Sequence, residues 1–298
     1  MGKVLLTGVG GFIGFHLANR LLQEGHSVVG LDSLTDYYDV QLKKDRLETL
    51  LDRGLLFYRL ELEALDSLKA LFAEFKFDQV IHLAAQAGVR YSLTHPHAYV
   101  SANLQGFLNI LECCRNAPSP IEHFIYASSS SIYGSNRKLP FSTRDLTDTP
   151  VSLYGATKKA NELMAHSYSW MYGLPCTGLR FFTVYGPWGR PDMALYLFAQ
   201  AILENQPLKL YNGGEMTRDF TYVDDVVESL VRLLPLVPSG QPGEQAAARV
   251  LNVGNHSPVE LRHFLRVIEE QLGRSAQVQS LPLQPGDVEA TFADVEDL

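Results

Sequence analysis

Cysteine is scarce in this chain, and the few cysteines are not spaced for disulfide or metal chemistry. The sequence of 298 residues contains three of them: Cys113 and Cys114 are adjacent, and Cys176 stands alone. Three cysteines without a CxxC pair exclude a disulfide framework and favour buried, reduced thiols. The nine histidines include no HExxH motif, so we expect no metal site.

An excess of positive charge and long apolar runs are also missing. The chain has 25 lysines and arginines against 33 aspartates and glutamates, a formal net charge of −8. This balance argues against nucleic acid as a partner. No apolar run approaches the roughly 18–20 residues that cross a bilayer, and the first residues show no secretory signal pattern. We therefore expect a cytoplasmic protein that does not bind a membrane.

The first 180 or so residues contain short apolar segments that alternate with amphipathic, helix-like segments. This alternation predicts strand–helix–strand units with right-handed crossovers. The expected fold class is α/β, a Rossmann-like doubly wound parallel sheet with a smaller C-terminal substrate-binding region. The predicted strands are Lys3–Thr7, His26–Asp32, Leu55–Leu62, Gln79–Ala85 and His123–Ser128, and the predicted helices are Phe12–Gln23, Ser67–Phe75 and Ala98–Arg115. The polar, tyrosine-bearing stretch after Asp32 is expected to be a loop.

The pattern changes near Gly186. Helical runs over Ala194–Glu204, Asp224–Leu233 and Pro258–Leu272 are separated there by loops rich in glycine, proline and asparagine. We predict that residues 1–185 form a nucleotide-binding domain that also carries the catalytic residues. Residues 186–298 are expected to form mainly a substrate-binding region, and the chain is expected to cross between the two.

A cluster of glycines lies between the first predicted strand and the first predicted helix. Gly8, Gly11 and Gly14, with Gly10 between them, are close to the GxGxxG pattern without matching it literally. Glycines in this setting permit a tight turn, bring backbone N–H groups close to a pyrophosphate, and let helix and strand pack closely. The strand–turn–helix context favours a dinucleotide site over a simple tight turn.

A carboxylate, Asp32, ends the second predicted strand. A carboxylate at this position accepts hydrogen bonds from the ribose 2′-OH of NAD and repels the 2′-phosphate of NADP. The following residues, Ser33, Leu34 and Thr35, include no arginine that could bind such a phosphate. The sequence therefore predicts NAD as the cofactor, the alternative being an aspartate that only caps a loop.

The pair Tyr154 and Lys158 has the i,i+4 spacing that places both side chains on one face of a helix. A nearby cation favours the phenolate of a tyrosine and makes it a usable acid–base group. The spacing alone is common and would describe an ordinary exposed pair. Here it follows a predicted strand that ends in the serines Ser128–Ser131, which can bring a hydroxyl to the phenol.

These motifs, in this order over most of the chain, resemble the extended short-chain dehydrogenase/reductases that modify nucleotide sugars. Two further family segments are His82–Ala85 and Arg180–Thr183. Within the family the resemblance points to UDP-glucuronate 4-epimerases, through Leu31–Asp39, Gln86–Ser92, Val151–Tyr154 and Tyr185–Ala194. It implies an NAD-dependent epimerase whose reaction passes through a 4-keto UDP-sugar.

The resemblance also implies a role for each matching residue. Ser129, Tyr154 and Lys158 would be catalytic, and Tyr154 and Lys158 would contact the cofactor as well. The other cofactor contacts would be Gly8, Gly11, Phe12, Ile13, Gly14, Asp32, Glu61, Leu62, Leu83, Ala84, Ala85, Asn103 and Phe181. The sugar carboxylate would be bound by Ser130, Ser131, Thr183 and Arg190, and the UDP portion by Arg218 and Asp287, with Arg90 a further substrate contact.

Several of these residues have simpler interpretations. Ser130 and Ser131 could only satisfy backbone groups at a strand end, and Thr183 could be a packing residue. Arg218 could form a surface ion pair with the adjacent Asp219. Three further alternatives remain: Arg90 as a charge at the rim, Asp287 as a turn residue, and Tyr37 with Tyr38 as loop packing.

Other functions share parts of this signature. A UDP-glucose 4-epimerase is the nearest alternative, because its substrate differs from UDP-glucuronate only in the substituent at sugar C6. Nucleotide-sugar dehydratases and decarboxylases of the family typically have an acidic residue in the segment that is Ser129–Ile132 here. A non-catalytic NAD-binding regulatory protein has no need of Ser129, Tyr154 and Lys158 together. A homodimer formed through two helices beside the sheet is expected by analogy with the fold.

Overall fold

The structure is a computed structural model that describes residues 2–284 and 286–298. The strands in chain order are β1 (Lys3–Thr7), β2 (Ser27–Asp32), β3 (Leu56–Arg59), β4 (Gln79–His82), β5 (His123–Ser129), β6 (Cys176–Phe181), β7 (Thr183–Tyr185), β8 (Pro207–Tyr211), β9 (Thr217–Tyr222), β10 (Ala248–Val253), β11 (Pro258–Glu260) and β12 (Gln277–Leu281). The helices are α1 (Phe12–Gln23), α2 (Val40–Leu51), α3 (Leu65–Glu74), α4 (Tyr91–Thr94), α5 (Pro96–Tyr99), α6 (Phe107–Arg115), α7 (Leu153–Tyr172), α8 (Ala194–Leu203), α9 (Val223–Leu233) and α10 (Leu261–Leu272).

The large sheet has seven strands in the order β10–β6–β5–β4–β1–β2–β3, and each neighbouring pair is parallel. Its central strands are apolar on both faces because helices cover both. The α1 and α9 helices pack on one face, and α3, α6 and α7 pack on the other. The strand order reverses between β1 and β4, which opens a crevice at their carboxyl ends. The predicted α/β, Rossmann-like fold is confirmed.

Later parts of the chain build two smaller sheets and return to the large one. The smaller sheets have the orders β11–β9–β7 and β12–β8, and they pack with α8 and α10 around a core of their own. Strand β10 pairs with β6 at the edge of the large sheet, and α9 packs on α1. The chain therefore returns to the large sheet with α9 and β10 after it has formed part of the small sheets.

Three local predictions were wrong. Helix α2 occupies part of the stretch after β2 that was expected to be a loop, and the Asp39 side chain caps it by accepting the Gln41 N–H at 2.8 Å. The predicted helix Ala98–Arg115 is interrupted by a π-helical segment, Val100–Gly106. Residues 258–260 form β11 rather than the start of a helix, since their backbone pairs with β9.

A buried ion pair joins α7 to the large sheet. Arg180 on β6 donates from Nε and Nη2 to the two carboxylate oxygens of Glu162, each at 2.9 Å. Both side chains are less than a tenth exposed. Ser128 at the end of β5 donates to the same carboxylate at 2.6 Å, and Arg180 also donates to the Tyr133 hydroxyl at 3.0 Å. The two buried charges are therefore paired and hydrogen-bonded, as burial of charge requires.

Replacement of Glu162 by glutamine should destabilise the fold strongly. The change leaves the buried Arg180 charge without its partner, and such a loss costs about 3–5 kcal/mol of unfolding free energy. Urea denaturation of wild type and variant measures the difference. Glu228→Gln, which breaks only exposed pairs with Arg20 and Arg232, is the control and should leave the midpoint nearly unchanged. Equal midpoints for Glu162→Gln and wild type would contradict the expectation.

Candidate active site

A cleft of about 1380 Å³ opens at the carboxyl ends of the large sheet's strands and extends to the small sheets. This volume is large for a single small ligand and suits a dinucleotide together with a nucleotide sugar. The predicted site residues that line it are Gly8, Gly11, Phe12, Ile13, Gly14, Asp32, Glu61, Leu62, Leu83, Ala84, Ala85, Arg90, Ser129, Ser130, Ser131, Tyr154, Lys158, Phe181, Thr183, Arg190, Arg218 and Asp287.

Asn103 differs from the other predicted residues because it lies behind the cleft wall. It is in the π-helical segment and is 2% exposed. Its Nδ2 donates to the Gln86 carbonyl and to the Thr157 hydroxyl, and its Oδ1 accepts the Gln86 N–H at 2.8 Å. These bonds hold the loop after β4 against α7. In the structure Asn103 thus supports the cleft wall rather than lining it.

The glycine-rich loop forms a cradle that side chains would fill. Gly8 has φ of +77°, and a Cβ there would lie 2.7 Å from the Ala84 amide nitrogen. A Cβ on Gly14 would lie 2.1 Å from the Gly8 carbonyl oxygen. Helix α1 begins directly after this loop, and its N-cap residue, Gly11, has no side chain to cap the first turn. The first amides of α1 and its dipole suit the pyrophosphate of a dinucleotide.

Asp32 sits at the end of β2 and already accepts two backbone hydrogen bonds. Its Oδ2 accepts the Gly10 N–H at 2.9 Å and its Oδ1 accepts the Leu34 N–H at 2.8 Å. Asp32 therefore does cap the loop, as the alternative interpretation predicted. Each carboxylate oxygen can accept a second bond, so Asp32 is held at the cleft surface and can still accept hydrogen bonds from a ligand.

Helix α7 begins so close to the serine turn after β5 that its first residues face Ser129. Ser152 caps the helix by accepting the Gly155 N–H at 3.0 Å. A Cβ on Gly155 would lie 2.6 Å from the Ser131 carbonyl oxygen, so only glycine permits this approach. Ser129 Oγ accepts the Ser131 N–H at 3.1 Å, which leaves its own proton free to donate. Tyr154, next to Gly155, lies against this hydroxyl.

Opposing effects act on the pKa of Tyr154. Burial raises the pKa of the Tyr154 phenol, while the Ser129 hydroxyl and the charge of Arg190 lower it. Burial also lowers the pKa of Lys158 to about 8, and its Nζ donates to the Ala127 carbonyl at 2.9 Å. Arg190 is therefore a cation that favours the phenolate, and the sequence argument did not invoke it for this role.

Arg190 reaches the cleft from the loop after β7 and is held by a carboxylate that the sequence argument did not single out. Its Nε donates to Asp192 Oδ1 at 3.0 Å and its Nη2 to Asp192 Oδ2 at 2.6 Å. Tyr37 donates to the same Oδ2 at 2.8 Å, so it is more than loop packing. The predicted carboxylate ligands Ser130, Ser131 and Thr183 line the same cleft.

A second group of charges lies toward the small sheets. Arg90 donates to Asp287 at 3.0 Å and stacks over the Tyr211 ring at 4.5 Å. Arg218 donates to the Thr217 and Glu289 carbonyls. The alternative of a surface pair between Arg218 and Asp219 is wrong. Asp219 is fully buried and accepts the N–H groups of Asn255 and Ala293 at 2.8 and 2.9 Å.

Sequence reasoning missed Lys43, a cation beside Asp32. Its Nζ donates to the Thr35 carbonyl at 2.6 Å, and burial lowers its pKa while the charge of Asp32 raises it. The capping residue Asp39 could have indicated the helix that carries Lys43. Asp192 and Tyr211 had no comparable local signal. Among the described residues, no group of three or more His, Cys, Asp or Glu is placed to hold a metal ion, and no helix is long and apolar enough to span a bilayer.

Comparison with known proteins defines the class first. Residues 4–254 match the NAD dependent epimerase/dehydratase family, and the chain belongs to this family. NAD is its cofactor, and the glycine cradle with Asp32 fits this dinucleotide.

Particular relatives narrow the comparison. The chain is 50% identical to a probable UDP-glucuronate 4-epimerase of Rhizobium meliloti (strain 1021), over 98% of this chain and 88% of the relative. It is 45% identical to UDP-glucuronate 4-epimerase 2 of Arabidopsis thaliana, over 98% and 69%. The crystal structure of UDP-glucuronic acid 4-epimerase from Bacillus cereus, in complex with UDP-glucuronic acid and NAD, is similar with a TM-score of 0.88 at 34% identity, over 99% and 91%.

Asp32→Ala should weaken NAD binding and relax the preference for NAD over NADP. The change removes the ribose acceptor and the charge that repels a 2′-phosphate, and it leaves Lys43 nearby as a cation that would tolerate this phosphate. Titration of the cofactor-free variant with each dinucleotide measures the ratio of dissociation constants. Asp36→Ala, in the exposed loop after β2, is the control. An unchanged ratio would place the ribose elsewhere.

Proposed function

We propose that this protein catalyses the NAD-dependent 4-epimerisation of UDP-glucuronate to UDP-galacturonate. The observation that carries the proposal is the arrangement of Ser129, Tyr154 and Lys158 next to a hydroxyl-rich turn and Arg190, all in one cleft with a dinucleotide cradle. The similarity to UDP-glucuronate 4-epimerases over nearly the whole chain supports the choice of substrate.

The chain's own residues would handle the proton of the sugar O4 hydroxyl. The glycine-rich loop and Asp32 would hold NAD, which would supply the reversible hydride transfer at sugar C4. Tyr154 removes the O4 proton in the first half-reaction and returns it in the second. Ser129 donates to O4 as its charge changes, and the Arg190 charge favours the phenolate of Tyr154. Lys158 holds the ribose of the cofactor.

A uronic acid adds a hazard that the site must control. The 4-keto intermediate is a β-keto acid, so its C5 carboxylate can leave as CO2 if the breaking bond aligns with the ketone π system. Ser130, Ser131 and Thr183 offer hydroxyl donors, and Arg190 offers a planar, permanently charged fork. These groups would hold the carboxylate out of that alignment while the keto sugar turns. Arg218, Asp287 and Arg90 would bind the UDP portion.

A dehydratase or decarboxylase fits the site less well. The turn after β5 carries Ser129, Ser130 and Ser131 and no carboxylate. The nearby Asp192 is a poor proton donor: burial raises its pKa, but the hydrogen bonds and charge of Arg190 lower it more. UDP-glucose 4-epimerase remains the second candidate function, since a structure of that activity from Thermotoga maritima is similar at a TM-score of 0.87 and 28% identity.

The domain organisation follows from these assignments. We propose that residues 1–185, joined by α9 and β10, bind NAD and carry the catalytic groups, and that the rest of residues 186–298 binds the UDP-sugar. We also propose a cytoplasmic homodimer. The α6 and α7 helices present large apolar side chains to solvent, among them Leu163 at 60% and Met171 at 50% exposure, and such a surface suits a second copy of the same face.

Tyr154→Phe should retain NAD but lose most of its turnover. The change removes the group that carries the O4 proton, and general acid–base catalysis supplies roughly 10²–10⁴-fold in rate. Product formation from UDP-glucuronate, followed by NMR, measures the loss, and the absorbance of bound NAD shows that the cofactor site is intact. Tyr168→Phe, on the same helix with its hydroxyl on Glu112, is the control. Near-normal epimerisation by Tyr154→Phe would remove Tyr154 from the mechanism.

Loss of a carboxylate ligand should reduce the preference for the uronic acid and release a by-product. A hydrogen bond to a charged group is worth about 1.5–3 kcal/mol, so Thr183→Ala or Arg190→Ala should lower the ratio of kcat/KM for UDP-glucuronate over UDP-glucose by roughly 10–100-fold. Both variants should form some decarboxylated UDP-4-keto-pentose, detectable by mass spectrometry, because the loosened carboxylate can align with the ketone.

Thr183→Ser keeps the hydroxyl and serves as the control for the threonine variant. If wild type turns over UDP-glucose as well as UDP-glucuronate and neither variant releases a pentose, the glucuronate assignment fails. The UDP-glucose 4-epimerase function then takes its place.

A further inference from the structure

The guanidinium of Arg190 is held by one bidentate ion pair that leaves a defined edge free. Two of its five N–H groups, on Nε and Nη2, donate to Asp192. The Tyr37 hydroxyl also interacts with this guanidinium, and the remaining edge of Arg190 lines the cleft. Arg190 is 22% exposed and Asp192 31% exposed at the cleft. The ion pair therefore determines which donors of Arg190 face a ligand and which do not.

Asp192 is itself held from a distant part of the chain. Tyr37, in the loop after β2, donates its hydroxyl to Asp192 Oδ2 at 2.8 Å across 155 positions of sequence. The Tyr37 ring packs edge-on against Tyr91 with centroids 4.8 Å apart. Burial and the Asp192 charge raise the pKa of Tyr37, so its hydroxyl stays protonated and donates.

The backbone on which Arg190 sits is anchored in the same region. The fully buried Arg46 on α2 donates to the carbonyls of Trp188 and Gly189 at 2.5 and 3.3 Å, and also to the Gly10 carbonyl at 2.8 Å. The segment leading to Arg190 is therefore tied to the glycine-rich loop. With the backbone anchored, Asp192 and Tyr37 control the remaining freedom of the Arg190 side chain.

We propose that Asp192, oriented by Tyr37, is a positioning residue that determines the specificity of the site for an anionic sugar, by directing the free edge of Arg190 and cancelling its net charge. This inference rests on the proposed function, because it assumes that Arg190 contacts the sugar carboxylate. It adds two residues, Asp192 and Tyr37, whose role is to position Arg190.

The effect of removing the Asp192 charge depends on whether Arg190 is present, and this dependence distinguishes a positioning role of Asp192 from a purely structural one. With Arg190 present, Asp192 aligns the donors, and its loss frees the guanidinium to rotate. Without Arg190, Asp192 would be an unpaired carboxylate beside the carboxylate of the substrate, and two like charges in a partly buried site repel each other. Removal of the Asp192 charge should therefore lower activity with UDP-glucuronate when Arg190 is present and raise it when Arg190 is absent.

A double-mutant cycle with UDP-glucuronate and UDP-glucose as substrates tests the proposal. Asp192→Asn alone should lower kcat for UDP-glucuronate about tenfold or more with KM unchanged or lower, since the site becomes more positive but less ordered. In the Arg190→Ala background the same change should raise kcat/KM for UDP-glucuronate about tenfold. In each background Asp192→Asn should change kcat/KM for UDP-glucose several-fold less than for UDP-glucuronate, because any effect through the Tyr154 phenolate is common to both substrates and only UDP-glucuronate has a carboxylate for Arg190 to bind.

Tyr37→Phe provides a milder variant that keeps the packing of the ring. It should lower kcat/KM for UDP-glucuronate in the wild-type background. In the Asp192→Asn background it should have no effect on this kcat/KM. If Asp192→Asn does not fold, the Arg190→Ala background replaces it, and Tyr37→Phe should also have no effect there. Asp225→Asn, an exposed charge on α9, is the matched control. Bound NAD and the melting temperature report on folding.

Equal effects of Asp192→Asn in both backgrounds, or equal effects on both substrates, would overturn the proposal while leaving the proposed function in place. The proposed function is judged separately, by the identity of the product that wild type forms from UDP-glucuronate. If wild type forms no UDP-galacturonate, both the proposed function and this inference fail.

Discussion

The geometry of the site depends on the buried ion pair between Glu162 and Arg180. Tyr154, Lys158 and Glu162 follow one another at intervals of four residues, so they share one face of α7. The bond from Glu162 to β6 fixes the rotation of this face against the sheet. The same carboxylate accepts from Ser128, the neighbour of Ser129. One interaction thus orients the helix that carries the phenol and the strand that carries the hydroxyl.

Patterns that are local in sequence were sufficient to predict the strand and the helix that flank the glycine-rich loop. The glycine loop, its strand and its helix lie within the first 23 residues, and the prediction of Lys3–Thr7 and Phe12–Gln23 is confirmed to the residue. Tyr154 and Lys158 are likewise a local pair. In such segments steric limits and helix periodicity act between near neighbours, so the sequence expresses them directly.

The parts that could not be predicted depend on contacts between distant residues. Strand β10 joins β6 with Val253 opposite Phe181, a pairing of positions 72 residues apart in sequence. The buried Asp219 joins β9 to residues 255 and 293 through backbone N–H groups, which no side-chain pattern encodes. The family resemblance implied that Asn103 contacts the cofactor, and in the structure its side chain, on the π-helical segment, donates to Gln86 and Thr157.

The charges in the cleft show how an acidic protein can select an anion. The chain has a net charge of −8, and any UDP-sugar carries the same diphosphate, so the overall field does not distinguish one sugar from another. Arg190 and Arg90 each have a carboxylate partner, Asp192 and Asp287, which removes most of their long-range attraction and leaves oriented N–H groups. A donor held in this way stabilises an anion only where an acceptor meets it at the right distance and angle. Under the proposed function, selection would then depend on the position of the sugar carboxylate rather than on its charge alone, and the same fixed position would protect the β-keto acid from decarboxylation while it turns in the cleft.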